Sequence, residues 1–207
     1  MSFSDSSGGQ TSDSSMAPLA ARAYLGVGSS LSPEENILRA LTALSGFPGI
    51  EVTRTSNFYR TPPLPAPGAS PVTVANDPDF LNGVFEIRTE LSPETLTLAL
   101  AEVENATGRV RAANKYAPRS LDLDLLVYLP AGRSSTEGPY PVHRDITTRS
   151  WVALPLFELA PDLLLPPHDT PLAQVASTFT DPGGTPDVLF TKRLLAALPQ
   201  PNNPFFP

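Results

Sequence analysis

Two aspartates separated by one residue are the first side chains in this sequence that could do chemistry. Asp122 and Asp124 lie in an alternating segment, Ser120 to Leu129, that is typical of a β-strand. Their carboxylates would share one face, with roots about 7 Å apart. Such a pair suits one or two hard divalent cations, which can bridge the oxygens of a transferring phosphoryl group. Solvated aspartates on a wet sheet face are the alternative. The opposite face would carry Leu121, Leu123, Leu125, Val127 and Leu129.

Positive charge is concentrated just before this segment. Arg109 and Arg111 follow a glycine that ends a predicted helix, and Arg119 directly precedes the strand, with Lys115 between them. Guanidinium groups suit phosphate because their planar fork makes two parallel hydrogen bonds and stays charged. Carboxylates beside arginines are what polyphosphate transfer requires, since the cation holds the phosphates and the arginines stabilise transition-state charge. For any single arginine, a surface ion pair is the alternative.

Aromatic side chains flank the same loops. Phe80 and Asn82 begin a predicted strand, Tyr116 lies among the arginines, and Trp151 follows Arg149. Flat rings and an amide would suit a planar heterocycle, which the rings stack on and the amide hydrogen-bonds along its edge. Phe80 and Trp151 could instead be core residues.

The elements that position these residues form an α+β pattern. Strands are predicted near Ala23–Val27, Ile50–Tyr59, Leu81–Thr89 and Ser120–Leu129. Helices follow the first and third strands, and each begins with Ser-Pro-Glu; at the first, Ser32 and Glu35 predict a capping box. The order β-α-β-β-α-β is the ferredoxin-like arrangement, an antiparallel sheet with both helices on one face. A short helix is expected at Trp151–Leu159. Gly26 and Gly28 are interpreted as turn glycines.

The composition and the motifs that are missing argue against several classes of protein. The chain has 207 residues, a net charge of -7 and no cysteine, which argues against non-specific nucleic-acid binding and excludes thiolate chemistry. No P-loop motif and no serine-hydrolase elbow occur. No membrane-length apolar run and no secretory signal are recognised, so we expect a cytoplasmic protein without membrane or nucleic-acid partners.

Proline is the most unusual feature of the composition, with 25 residues. Residues 1–21 are predicted to be a disordered tail, residues 22–180 the functional domain, and residues 181–207 a proline-rich C-terminal tail with room for a short helix at Leu189–Leu198. A long proline-rich loop is expected at Thr61–Pro78.

Five blocks of the sequence form a pattern in collinear order over roughly residues 23–165. The most specific is Lys115 to Leu126, which contains both aspartates and Arg119. The others are Tyr24–Leu31, Ser56–Leu64 with Phe80–Asn82, Gly108–Arg111, and Arg149 through Pro155–Pro161. Together these blocks resemble one family, the 6-hydroxymethyl-7,8-dihydropterin pyrophosphokinases of folate biosynthesis.

The resemblance implies magnesium-dependent transfer of pyrophosphate from ATP to the pterin hydroxymethyl group, with release of AMP, by an enzyme expected to be monomeric. It implies that Asp122 and Asp124 hold two Mg²⁺ and that Arg109 and Arg119 are catalytic. By matching positions, the residues bordering ATP would be Glu104, Arg111, Arg119, His143 and Arg149. Those lining the pterin pocket, with Phe80 and Trp151 on either side of the ring, would be Thr61, Pro62, Leu64, Phe80, Asn82, Tyr116 and Trp151.

The sequence departs from the family pattern at a few positions. The loop after Leu64 is longer and richer in proline, Val142 replaces a common proline, Arg144 a common aromatic residue, and Tyr116 a common tryptophan. Two other classes compete with the resemblance. One is a ferredoxin-like binding module, for example for RNA; the other is a nucleotidyl transferase, which would release pyrophosphate instead of AMP.

Overall fold

The computed structural model describes residues 20–65, 68, 70–109, 117–132, 142–181 and 183–199. The strands are β1 (Ala21–Ser29), β2 (Ile50–Thr55), β3 (Tyr59–Thr61), β4 (Phe80–Thr89), β5 (Asp122–Leu129), β6 (Leu164–Leu165), β7 (Thr170–Pro171) and β8 (Thr185–Pro186). The α-helices are α1 (Pro33–Ser45), α2 (Pro93–Ala106), α3 (Ser150–Leu159), α4 (Leu172–Ser177) and α5 (Val188–Ala197). Within these ranges, no helix has the length and apolar character needed to cross a membrane.

One antiparallel sheet organises the molecule. Its order is β5-β1-β4, with β2 and β3 pairing one after the other along β4, and β8 beyond β3. The α+β fold and the ferredoxin-like β-α-β-β-α-β order are therefore confirmed. The strand predicted at Ile50–Tyr59 is two strands, because Phe58 turns into the core and is fully buried. Gly83 leaves room for this ring, since a Cβ there would lie 2.6 Å from it.

The first two helices pack on one face of the sheet and bury their apolar stripes in a shared core. At the start of α2, the Ser92 hydroxyl accepts a hydrogen bond from the Thr95 amide at 3.3 Å, as an N-cap does. The capping box predicted at the start of α1 is wrong. Ser32 adopts a left-handed conformation with φ 43° and its side chain makes no capping bond. The Asn36 side-chain amide instead donates to the Leu31 carbonyl at 2.7 Å.

A β-bulge in β5 changes which residues share a face. Leu25 pairs with Leu125 but Tyr24 pairs with Val127, so Leu126 is the extra residue. A bulge reverses the alternation that follows it. Leu123 therefore packs under the helices, whereas Val127 and Leu129 pack on the opposite face. The prediction that all five apolar residues of this strand share one face is wrong beyond Leu125.

That opposite face is only partly exposed to solvent. At its far end, residues of α3 and α4, including Leu156 and Leu172, pack on it. They form a second apolar cluster with Tyr24 of β1 and Val127 of β5. The remaining end of the face, where β5 begins, is open. The bulge thus separates a dry part of the face from the part that carries the two aspartates.

The C-terminal helix belongs to the main core. The sequence predicts a tail at residues 181–207, yet β8 extends the sheet and α5 buries Phe190 and Leu194 fully. The Phe190 ring meets the Phe58 ring edge-on, with centroids 5.5 Å apart. The folded unit therefore extends past residue 180, because β8 pairs with β3 and α5 packs in the main core.

We expect Phe190→Ala to lower the free energy of unfolding by about 3 kcal/mol or more, because truncation of a buried aromatic ring loses its burial and leaves a cavity. Leu189→Ala, one residue away and 77% exposed, is the matched control and is expected to change it by less than about 0.5 kcal/mol. Urea denaturation of both variants would measure the difference. Equal stabilities would contradict the packing of α5 on the core.

Candidate active site

A cleft of about 240 Å³ opens at the uncovered end of the sheet. It brings together most of the residues selected from the sequence. Of these, the cleft is lined by Thr61, Pro62, Leu64, Phe80, Asn82, Arg119, Asp122, Asp124, His143, Arg149 and Trp151. Residues from both predicted subsites, acidic and aromatic, therefore share one cavity.

Glycines of β1 form the floor of this cleft. Gly28 lies between Asn82 on β4 and Asp122 on β5, and Gly26 pairs with Asp124. A Cβ on Gly28 would lie 2.5 Å from the Asn82 side-chain oxygen. The interpretation of these residues as turn glycines is wrong, since both lie within β1. Their position beside two functional strands is not visible in the sequence, because it depends on the strand register.

Asp122 is held between two arginines. Its Oδ1 is 2.7 Å from a guanidinium nitrogen of Arg109, and its Oδ2 is 2.6 Å from one of Arg119. All three side chains are largely shielded, with 19–25% of their surface exposed. The arginines and carboxylate predicted from sequence therefore meet directly. Each oxygen of Asp122 carries a charged donor in this arrangement.

The backbone at the end of β1 positions Arg119. The amides of Ser30 and Leu31 donate to the Arg119 carbonyl at 3.0 and 3.2 Å. The Ser30 hydroxyl accepts from the Arg119 amide at 3.0 Å, and the Ser29 hydroxyl donates to the Ser120 carbonyl. The guanidinium also lies over the Phe80 ring, 5.6 Å from its centroid. Arg119 thus contacts the acidic and the aromatic ends of the cleft at once.

Glu104 lies behind the cleft and does not line it. This buried residue of α2 accepts a hydrogen bond from the Leu123 amide at 2.8 Å and forms a close ion pair with Arg109. Burial raises the pKa of Glu104, while the Leu123 amide and Arg109 oppose that shift. Its contacts suit a residue that holds Arg109 in place, rather than one that touches a nucleotide directly.

Asp124 differs electrostatically from Asp122. Its side chain opens to the cleft, and no ion pair to it is formed within the described ranges. Crowding by the surrounding protein, and then the charge of Asp122, raise the pKa of Asp124; His143 and Arg109 oppose this and Asp145 adds to it. A carboxylate that lies beside another favours a bound cation, because the cation offsets the repulsion between the two negative charges.

The segment 142–151 forms the wall facing β5. The His143 amide donates to the Leu126 carbonyl at 2.8 Å, which fixes the segment to the sheet at the bulge. The Arg149 guanidinium lies 5.3 Å from the centre of the Trp151 ring and 3.8 Å from Asp145 Oδ2. Asp145 also lines the cleft and was not selected from the sequence. In the sequence, the position of Asp145 between His143 and Arg149 is the one feature that indicates a place in the site.

The opposite wall is built on β3 and β4, and together with Trp151 it forms the aromatic subsite. The Asn82 side-chain amide donates to the Thr61 hydroxyl at 2.7 Å, across the paired strands β3 and β4. Phe80 and Trp151 both face the cavity, as do Pro62 and Leu64. The core alternative for Phe80 and Trp151 is therefore not supported. Two predicted residues, Arg111 and Tyr116, lie outside the described residues.

The geometry favours a reaction between a polyphosphate and a flat polar ring. One end has two carboxylates and several cationic side chains, and the other has aromatic rings, prolines and one amide. No group of three or more acidic or histidine side chains suited to a metal occurs among the residues that the structure describes. A divalent cation here would therefore need ligands from its substrate and from water, as Mg²⁺ commonly does.

Comparison with known proteins agrees with this chemistry. Residues 24–161 match the family model described as 7,8-dihydro-6-hydroxymethylpterin-pyrophosphokinase. A protein of Haemophilus influenzae named 2-amino-4-hydroxy-6-hydroxymethyldihydropteridine pyrophosphokinase is 36% identical over 160 residues, 77% of this chain and 93% of that protein. Proteins of the same name from Methylorubrum extorquens (39% identical) and Pseudomonas aeruginosa (36% identical) each match over 148 residues. These cover 70% of this chain and 85% and 84% of the respective relatives. The chain therefore belongs to the 7,8-dihydro-6-hydroxymethylpterin-pyrophosphokinase family, enzymes that transfer a pyrophosphoryl group in folate biosynthesis.

Proposed function

We propose that this enzyme transfers pyrophosphate from ATP to 6-hydroxymethyl-7,8-dihydropterin in a magnesium-dependent reaction, giving the pterin diphosphate and AMP. The observation that carries the proposal is the position of Arg119. Its guanidinium contacts Asp122 at the acidic end and the Phe80 ring at the aromatic end of a single cleft. A group transferred between substrates at the two ends would therefore lie within reach of this side chain.

The bond changes define what the site must do. The hydroxymethyl oxygen attacks the β-phosphorus of ATP and forms a new O–P bond. The bond from the β-phosphorus to the oxygen bridging it to the α-phosphorus breaks, and AMP leaves with that oxygen. The hydroxyl proton is released. Negative charge grows on the bridging oxygen, where arginine donors would stabilise it.

Asp122 and Asp124 fit the metal that this reaction needs. Both supply hard carboxylate oxygens on one strand, and desolvation and the neighbouring charge of Asp122 raise the pKa of Asp124. We propose that they hold two Mg²⁺ ions, with the triphosphate and water completing the coordination. When bound, these ions would neutralise phosphate charge and hold the triphosphate in line with the attacking oxygen.

We propose that the arginines exchange partners when the substrates bind. In the present arrangement both oxygens of Asp122 are engaged by Arg109 and Arg119. A cation on Asp122 would compete with these pairs and favour release of a guanidinium toward the phosphates. Glu104 would keep Arg109 close during this exchange, since it also pairs with that side chain.

The substrates would occupy opposite ends of the cleft. Phe80 and Trp151 would contact the two faces of the pterin, while Asn82 would bond its edge and Thr61, Pro62 and Leu64 would enclose it. His143 and Arg149 would border ATP at the other end of the cleft. Arg111 and Tyr116 keep their predicted roles, at ATP and at the pterin respectively. A monomeric state and a cytoplasmic location also stay predictions.

Product analysis tests the reaction. The enzyme is incubated with ATP, Mg²⁺ and 6-hydroxymethyl-7,8-dihydropterin, and the nucleotides are separated by chromatography. AMP formed in equal amount to pterin diphosphate is expected. Release of free pyrophosphate would indicate nucleotidyl transfer, and ADP would indicate transfer of a single phosphoryl group. Either result would overturn the proposal.

Asn82→Ala and Trp151→Ala are expected to weaken pterin binding at least 10-fold while changing nucleotide affinity less than 3-fold. Loss of the amide leaves polar groups of the heterocycle unpaired, and loss of the indole removes a stacking surface. Calorimetry with the pterin and, separately, with α,β-methylene ATP and Mg²⁺ would measure both. Asn105→Ala, an exposed asparagine at the end of α2, is the control. Parallel losses for both ligands would mean that these residues are only structural.

A further inference from the structure

The C-terminal segment 183–197 lies beyond the residues that match the family model, yet it supports one wall of the cleft. Its strand β8 pairs with β3, with Tyr59 opposite Pro186 and Arg60 opposite Thr185. The other edge of β3 pairs with β4, where Thr61 lies opposite Phe80. The strand that carries Thr61 is therefore fixed from both sides.

Two glycines at the start of this segment lie between the walls of the cleft. A Cβ on Gly184 would lie 2.3 Å from the Arg60 carbonyl oxygen and 2.8 Å from the Thr61 methyl group. A Cβ on Gly183 would lie 2.6 Å from the Ser150 hydroxyl and 3.0 Å from the Trp151 ring. The chain thus touches β3 and the start of α3 within two residues. Only glycine allows this close an approach.

Asp187 anchors the segment to the same strand. Its amide donates to the Phe58 carbonyl at 2.8 Å, and its Oδ1 accepts from the Phe190 amide at the start of α5. Its Oδ2 accepts from Arg60 at 2.7–2.8 Å. Arg60 also binds Glu34, which pairs with Arg193 of α5. These contacts leave β3 little freedom to move relative to the C-terminal segment.

We propose that Gly184 and Asp187 are positioning residues for the pterin subsite, acting through the strand that holds Thr61, while Gly183 beside them keeps the segment against Trp151. The segment sets the distance between the wall that holds Thr61 and the wall that holds Trp151. A planar substrate binds well only when rings and hydrogen-bonding groups are correctly spaced, so a small displacement weakens its binding. The nucleotide end is built on β5 and residues 143–149. The contacts of Gly184 and Asp187 described above are instead with residues 58–61 and with α5. This inference rests on the proposed function.

Gly184→Ala tests the proposal, because the added methyl group meets backbone rather than a flexible side chain. The pterin Kd is expected to rise at least 10-fold, and the Kd of α,β-methylene ATP with Mg²⁺ to change less than 2-fold. Both are measured by calorimetry, the pterin also in the presence of the nucleotide analogue. Emission of Trp151, the only tryptophan, reports independently on the wall of the cleft. Gly46→Ala, at a helix end with no neighbour closer than 3.5 Å, is the control.

Asp187→Asn is the second variant, and it decides the matter if Gly184→Ala does not fold. Asparagine keeps an oxygen to cap α5 but loses the charge that holds Arg60. A rise of at least threefold in pterin Kd alone is expected. Unchanged pterin binding in a folded variant, or equal weakening of both ligands, would overturn the proposal. If the unaltered enzyme binds no pterin at all, the proposed function fails and this inference with it.

Discussion

Replacing Asp124 by asparagine is expected to lower kcat at least 100-fold without destabilising the protein. A 100-fold loss corresponds to about 2.7 kcal/mol of transition-state stabilisation, a reasonable share for a ligand of the catalytic cations. Asparagine is nearly isosteric with aspartate but is a weaker cation ligand. It also leaves the two arginine pairs of Asp122 in place, so the rest of the site keeps its geometry.

The free energy of unfolding of the Asp124→Asn variant should stay unchanged or rise, although its kcat falls. Partial desolvation in the cleft, and then the charge of Asp122, raise the pKa of Asp124 above its ordinary value. The ionised carboxylate therefore opposes folding, and this effect grows as the pH rises above the pKa of an unfolded aspartate, about 3.9. Without Mg²⁺ at pH 7, the asparagine variant should be as stable as the unaltered protein or more so. This difference should disappear at a pH below about 3.9.

Steady-state kinetics and urea denaturation at several pH values would measure both effects. Asp162→Asn, an exposed aspartate outside the cleft, is the matched control and is expected to leave activity and stability almost unchanged. A kcat within 10-fold of normal in the Asp124 variant would remove that residue from the metal site. A clear loss of stability at pH 7 would contradict the electrostatic description of the carboxylate pair.

Much of the fold could be predicted because local signals agreed with the tertiary structure. Two Ser-Pro-Glu helix starts and alternating apolar segments gave the correct order of strands and helices. What failed depended on register. The bulge at Leu126 arises from pairing between β1 and β5, and nothing in the leucine-rich segment itself marks that position. The core role of Phe190 was missed for a different reason, because its proline-rich surroundings are typical of a tail.

The site residues were predictable where chemistry selects a residue type. Asp122 and Arg119 stood out because carboxylate and guanidinium groups have few substitutes in phosphate chemistry, whereas the role predicted for Trp151 came from the resemblance. Gly28 and Gly184 did not, because the role of a glycine lies in the atoms that it lets come close. Asp145 was missed because a lone aspartate on a loop resembles any solvated one.

Replacing Arg119 by lysine is expected to lower kcat at least 100-fold while the affinity for α,β-methylene ATP changes less than 3-fold. Lysine keeps the positive charge but loses the planar fork, which lets Arg119 bond Asp122 while lying over Phe80. If the guanidinium contacts the transferring group chiefly in the transition state, its loss affects kcat more than ground-state binding. Single-turnover kinetics and calorimetry would measure the two quantities.

Arg39→Lys is the matched control for this substitution, since Arg39 forms an exposed ion pair with Glu35 within α1 and should tolerate the change. Lysine at position 119 should also leave the hydrogen bonds between the Arg119 backbone and Ser30 intact, because they do not involve the side chain. A variant that loses nucleotide affinity in proportion to kcat would place Arg119 among residues that only bind ATP. A kcat within 10-fold of normal would show that charge alone suffices at the junction between the two ends of the cleft.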